Sequence, residues 1–140
     1  MPRTRVETRA RARALQALYA WEMRGGAGNL EQVATQAWDD MSISPEERRV
    51  AGPLVRFVAQ RQRELDDELA DVTTNWRLER VGAIERCVLR LGAAELSLGE
   101  TPPRVVIQEA VTLAERFGSA ASARFVNGVL DALARRMGRM

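Results

Sequence analysis

Apolar residues recur at spacings of three and four from one end of this chain to the other, and no segment of useful length alternates with a period of two. Such a pattern supplies amphipathic helices and nothing for a sheet, so the expected fold is all-α. The interruptions are few. A first helix begins near residue 5 and reaches Arg24, where 25-GGAGN-29 ends it, and a shorter one covers about Leu30–Asp40. The stretch 42-SISPEERR-49 opens a third, with Pro45 in an early position and Glu46 and Glu47 at the positive end of the helix dipole. That helix continues through Leu54, Val55, Val58, Leu65 and Leu69 to about Val72, with 52-GP-53 as the expected place for a break. The seam between two helical halves, 1–75 and 76–140 of a single domain, falls at 73-TTNW-76. A further helix covers roughly Val81–Leu98, and 99-GETPP-103 ends it. Thr101 is the expected cap of the next, which has Pro103 in its first turn and stops at Gly118. Ser119 or Ser122 starts the last helix, which ends near Met137. Six or seven helices in two small bundles follow.

Composition narrows the function. A chain of 140 residues fits one domain with a real core. No apolar run approaches the roughly 18–20 residues of a membrane span. The N-terminal arginines have no apolar stretch behind them, so neither a membrane partner nor a signal peptide is expected. The single cysteine, Cys87, fits a reducing compartment, and the expected location is the cytoplasm. Histidine is absent, which removes an imidazole base, a Ser-His pair and a histidine ligand for zinc. No catalytic residue, metal site or cofactor is therefore expected.

All 21 basic residues are arginine, which keeps its charge and forks onto phosphate. Codon usage in a GC-rich genome is the simpler cause of the missing lysine, so function must be argued from the placement of the charges and not from their type. Residues 1–24 hold Arg3, Arg5, Arg9, Arg11, Arg13 and Arg24 against Glu7 and Glu22, a net of +4. Residues 25–47 hold five acids and no arginine, and 64-ELDDELAD-71 is a second acidic cluster. A basic end beside acidic patches fits two partners of opposite charge, and fits solvated helix faces as well.

On a helical wheel Ala14, Leu15, Leu18 and Trp21 share one face, with Arg9 and Arg13 opposite and Gln16 between them. Arg11 falls on the apolar side, ahead of the large hydrophobes, where it would project past the end of the core. Tyr19 sits at the boundary, a comfortable place for an amphipathic ring. In the last helix Val126, Val129, Leu130, Leu133 and Met137 form the core stripe, and Phe125 lies about 100° from it. Arg124 stands beside this ring, and Gly128 one turn on leaves room for another molecule. An aromatic flanked by arginine can stack a splayed RNA base; it can equally cover an edge of the core. Glu95 shares a face with Ile84, Val88 and Leu91, so it is expected to be paired in the interior rather than to act as a catalytic acid. Cys87 is expected to be a packed thiol.

Four segments, 11-RARALQALYAWE-22, 84-IERCVLRLGAAEL-96, 102-PPRVVIQEAVTLAERFG-118 and 125-FVNGVLDAL-133, resemble the NusB transcription antitermination factors in order and spacing. The resemblance covers nearly the whole chain and implies two three-helix bundles. It further implies a non-catalytic protein that pairs with NusE, a small-subunit ribosomal protein. The heterodimer would bind the boxA element of nascent ribosomal RNA and enter the RNA polymerase antitermination complex. Carried onto this sequence, it implies RNA contacts at Arg5, Arg9, Arg11, Arg13, Arg124 and Phe125, and NusE contacts at Tyr19 and Glu85. These arginines and the ring of Phe125 are expected to meet on a single exposed track.

The sequence departs from the family at three points. Ala121 stands where many relatives carry a carboxylate, Gln108 where asparagine is usual, and Glu7 interrupts the arginine run. The same fold also occurs in RNA cytosine methyltransferases, but this chain has no Gly-rich nucleotide loop or catalytic cysteine motif. The rival to RNA binding is a helical adaptor that binds only protein through its acidic clusters. A monomer and a homodimer that masks the RNA surface are both compatible with the sequence.

Overall fold

A computed structural model describes residues 5–73 and 81–140, of which Arg5 is described in its backbone alone. The described residues form six α-helices and no strand: α1 (Arg5–Met23), α2 (Leu30–Met41), α3 (Pro45–Val72), α4 (Ala83–Leu98), α5 (Pro103–Phe117) and α6 (Ala120–Arg136). None of them is long and apolar enough to cross a membrane. Two compact units divide the chain, Met1–Gln60 and Arg61–Met140. The halves expected at 1–75 and 76–140 would instead divide at the edge of residues 74–80, outside the described residues.

In the first unit α1 buries Ala14, Leu15, Leu18 and Trp21, the face the wheel assigns to the core. α2 contributes Leu30, Val33, Ala34 and Trp38, and the proximal part of α3 contributes Ala51, Leu54, Val55 and Val58. The loop between α1 and α2 is closed by the Trp21 indole N–H, which donates to the Gly28 carbonyl at 3.1 Å. Asn29 caps α2, its side chain accepting from the Gln32 N–H at 3.0 Å.

The expected break at 52-GP-53 is absent: α3 runs through Pro53, and its helical dihedrals fail at Arg61 instead (φ −121°, ψ 17°). Proline costs one N–H bond and crowds the residue before it, and the crowding is relieved here because that residue is Gly52, which has no Cβ to clash. A Cβ at Gly52 would meet nothing within 4 Å, so its smallness is not demanded by any neighbouring helix.

In the second unit α3 beyond the break buries Leu65 and Leu69. Arg90 of α4 grips Asp66 in a fork, Nε to Oδ1 at 2.8 Å and the terminal nitrogen to Oδ2 at 3.0 Å. α4 is buried continuously from Cys87 to Leu96, as suits a central helix with α5 and α6 on its flanks. It meets α6 tightly at Gly92, where an added Cβ would stand 2.6 Å from Leu130 Cδ1. Cys87 is fully buried and Glu95 is 7% exposed, both interior as expected.

The last two helix starts differ in detail from the sequence expectation. Pro102, not Thr101, is the N-cap of α5, and it makes no side-chain cap bond, so Pro103 at the first turn supplies the geometry. Ser119 caps α6 by accepting from the Ser122 N–H at 3.1 Å. The α6 stripe Val126, Val129, Leu130 and Leu133 is buried, whereas Met137 is the C-cap and half-buried.

Candidate nucleic-acid interface

Each unit carries its own part of the predicted site. In the first unit the arginine face of α1 meets the start of α3. Glu47 is the third residue of α3, and with Ser44 it forms a reciprocal cap. The Glu47 N–H donates to Ser44 Oγ at 3.1 Å, while Glu47 Oε1 accepts from the Ser44 N–H at 3.1 Å. Its other oxygen, Oε2, accepts from Arg13 Nε at 3.1 Å and stands 3.9 Å from Arg9 Nε. Burial alone would push this carboxyl up. Bonds from the Ser44 N–H, the Arg13 guanidinium and the Ser44 hydroxyl, together with the Arg13 charge, outweigh burial and hold it below its usual value. Arg13 is fixed further by Gln16 Oε1 at 3.3 Å and, at its backbone carbonyl, by the Trp38 indole N–H at 3.0 Å.

The predicted arginines therefore differ in what they offer. The Arg9 side chain is 51% exposed and that of Arg13 30%, both on the α1 face that carries Glu47 as internal counter-charge. Arg11 is 5% exposed, so it does not project past the core as the sequence suggested. Its chain neighbours Ala10 and Ala12 are buried as well, so this turn of α1 belongs to the interior and is not a projecting arm. The side chain of Arg5 lies outside the described residues. Tyr19 is exposed on α1, with Met23 one turn on.

In the second unit Phe125 is half-buried and lines a shallow pocket of about 380 Å³ with Val81, Gly82, Glu85, Ser119, Ala121 and Ser122. Phe125 and Glu85, which the resemblance assigns to different partners, thus share one pocket. Glu85 is in the first turn of α4, and its carboxylate folds over Gly82, the N-cap, close to the helix's positive end. Arg124 is exposed on α6, and an added Cβ at Gly128 would meet nothing within 4 Å, so the room expected there exists. The arrangement offers an aromatic face, two hydroxyls and a carboxylate, groups that can stack and hydrogen-bond. Among the described residues no group of Cys, Asp or Glu is placed to hold a metal ion.

A family model described as "NusB family" matches residues 8–135. The chain belongs to the NusB family. The transcription antitermination protein NusB of Anaeromyxobacter dehalogenans is 45% identical over 134 residues, covering 94% of this chain and 92% of the relative. A solved structure of the antitermination factors NusB and NusE in complex with dsRNA is similar at a TM-score of 0.86 and 29% identity, covering 96% of this chain and 99% of that one. NusB of T. maritima is similar at a TM-score of 0.83 and 29% identity, covering 96% and 93%. All four segments that carried the sequence resemblance lie inside the NusB match.

Sequence reasoning missed the part played by Glu47, which it placed only at the helix dipole. The signal was available: Ser44-x-x-Glu47 ahead of an apolar run is a capping box. The acidic clusters fitted either a partner's surface or solvated helix faces. Much of that charge is met within each unit, by Arg48 on Asp39, Arg56 on Glu31, Arg90 on Asp66 and Arg136 on Asp71.

Proposed function

We propose that this chain is an RNA-binding transcription antitermination factor that, with NusE, binds boxA in nascent ribosomal RNA transcripts and enters the polymerase antitermination complex. The observation that carries this reading is its likeness, over 96% of its length, to a NusB solved together with NusE and RNA. Its work is binding, without chemistry on the RNA, and it takes place in the cytoplasm where the transcript emerges. Arg5, Arg9 and Arg13 on α1 and Arg124 on α6 neutralise phosphates, and released counterions supply much of the free energy. Arg11 is buried in the free chain, so it adds to the field of this patch rather than gripping a phosphate directly. Phe125 offers one face to an unstacked base at the pocket it lines. Tyr19 and Glu85 face NusE.

Fluorescence anisotropy of labelled boxA RNA against a scrambled RNA of equal composition, with and without equimolar NusE, tests this. Tighter binding of boxA in the presence of NusE is the expected result. Equal binding of the two RNAs, or binding of NusE with no effect on RNA, overturns it and leaves the protein-only adaptor.

A further inference from the structure

We infer that Glu47 is a positioning residue for RNA binding: its carboxylate sets the guanidinium groups of Arg9 and Arg13 on α1 before any phosphate arrives. The inference rests on the proposal that these two arginines contact RNA. Glu47 reaches across from α3, and its side chain is only 7% exposed. Its oxygens are divided in function. Oε1 is occupied by the Ser44 N–H and locks the carboxylate to the start of α3, while Oε2 faces α1 and takes Arg13 at 3.1 Å with Arg9 at 3.9 Å. A carboxylate held below its usual value stays ionised throughout the neutral range, so the anchor is permanent.

The geometry leaves the arginines useful. A guanidinium has five N–H donors, and Glu47 engages Arg13 through Nε alone. Gln16 meets one terminal nitrogen, and the side chain still shows 30% of its surface to solvent. Free arginine side chains lose much rotamer freedom when they grip a phosphate; one already oriented loses less. Preorganisation and net charge then predict opposite signs for the same substitution, which makes the inference testable. Replacing Glu47 by glutamine removes a negative charge from the patch, and on charge alone RNA would bind more tightly. Positioning predicts weaker binding, because the neutral amide holds the guanidinium groups poorly.

The test is boxA RNA anisotropy at several salt concentrations, with NusE present, for the wild type, Glu47→Gln, Ser44→Ala, Arg13→Ala and the Arg13→Ala/Glu47→Gln double variant. Ser44→Ala removes the hydroxyl's bonds to the Glu47 N–H and carboxyl but leaves the Ser44 N–H and Arg13 bonds to the carboxylate, so it reports a weakened helix start with the anchor still charged and facing α1. Glu47→Gln is expected to weaken binding by about three- to tenfold, the cost of ordering a loose, rotamer-rich side chain. Ser44→Ala is expected to bind as the wild type does, and Glu47→Gln to weaken binding less in the Arg13→Ala background than in the wild type, because only Arg9 is then left to position. Unchanged or tighter binding by Glu47→Gln overturns the inference, as does equal weakening by Ser44→Ala. If Arg13→Ala weakens binding while Glu47→Gln does not, only the positioning role falls. If Arg13→Ala binds as the wild type does, the arginine contact itself is wrong and the inference falls with it.

Discussion

Phe125 is half-buried, which separates its two roles by measurement. A ring whose main work is filling the core costs about 3–5 kcal/mol of stability when cut to alanine. A ring that stacks a base costs roughly 1–3 kcal/mol of RNA affinity instead. Phe125→Ala is expected to weaken boxA binding in that range while lowering unfolding stability by only about 1–2 kcal/mol, below the fully buried case. Thermal melts alongside RNA titrations check this; a loss of several kcal/mol of stability with little change in RNA affinity assigns the ring to packing. At this scale the sequence was only partly legible. It placed Phe125 at the edge of the core and Arg9 outside it, as found, because a wheel tells which face a residue is on. It misjudged Arg11 because a wheel does not tell how far along a helix the core extends.

Elements were more legible than residues, for a physical reason. The starts and stops of helices are set by local chemistry: 25-GGAGN-29 after α1, Pro45 at α3, Ser119 before α6, Gly118 after α5. These signals act within a few residues and can be read without knowing the fold. Breaks inside a helix are another matter. Pro53 looks decisive in sequence, yet Gly52 relieves the crowding and α3 continues until Arg61, where no punctuating residue stands. Close packing between helices was also hidden, since Gly92 within α4 gives no sign of the Leu130 side chain lying against it. Gly92→Ala is expected to destabilise the second unit by about 1–3 kcal/mol, the usual cost of overpacking. Chemical denaturation checks it; a variant as stable as the wild type means Leu130 can move aside freely, and the tight α4–α6 approach is not a constraint.

Across the whole molecule the legible features were compositional and the illegible ones were pairings. The absence of histidine spoke against imidazole chemistry, the basic amino end left RNA and a solvated face both open, and the order and spacing of the four NusB-like segments decided for RNA, with which the family match over residues 8–135 agrees. Sequence left the acidic clusters open between a partner's surface and solvated faces, and it cannot show that Asp66 closes on Arg90 across 24 residues, or Asp71 on Arg136 across 65. Charge runs therefore overstate what a surface offers to partners, and the arginines of α1 are subject to the same correction through Glu47. Even so, two of them remain partly exposed, and RNA binding requires that they meet phosphate. A salt titration of boxA RNA binding with NusE present, comparing the wild type with a folded Arg9→Ala/Arg13→Ala variant, tests that requirement. The plot of log affinity against log salt is expected to become shallower by about 1.4, roughly 0.7 for each single-strand phosphate that the variant no longer neutralises. Parallel plots for the two proteins would contradict it.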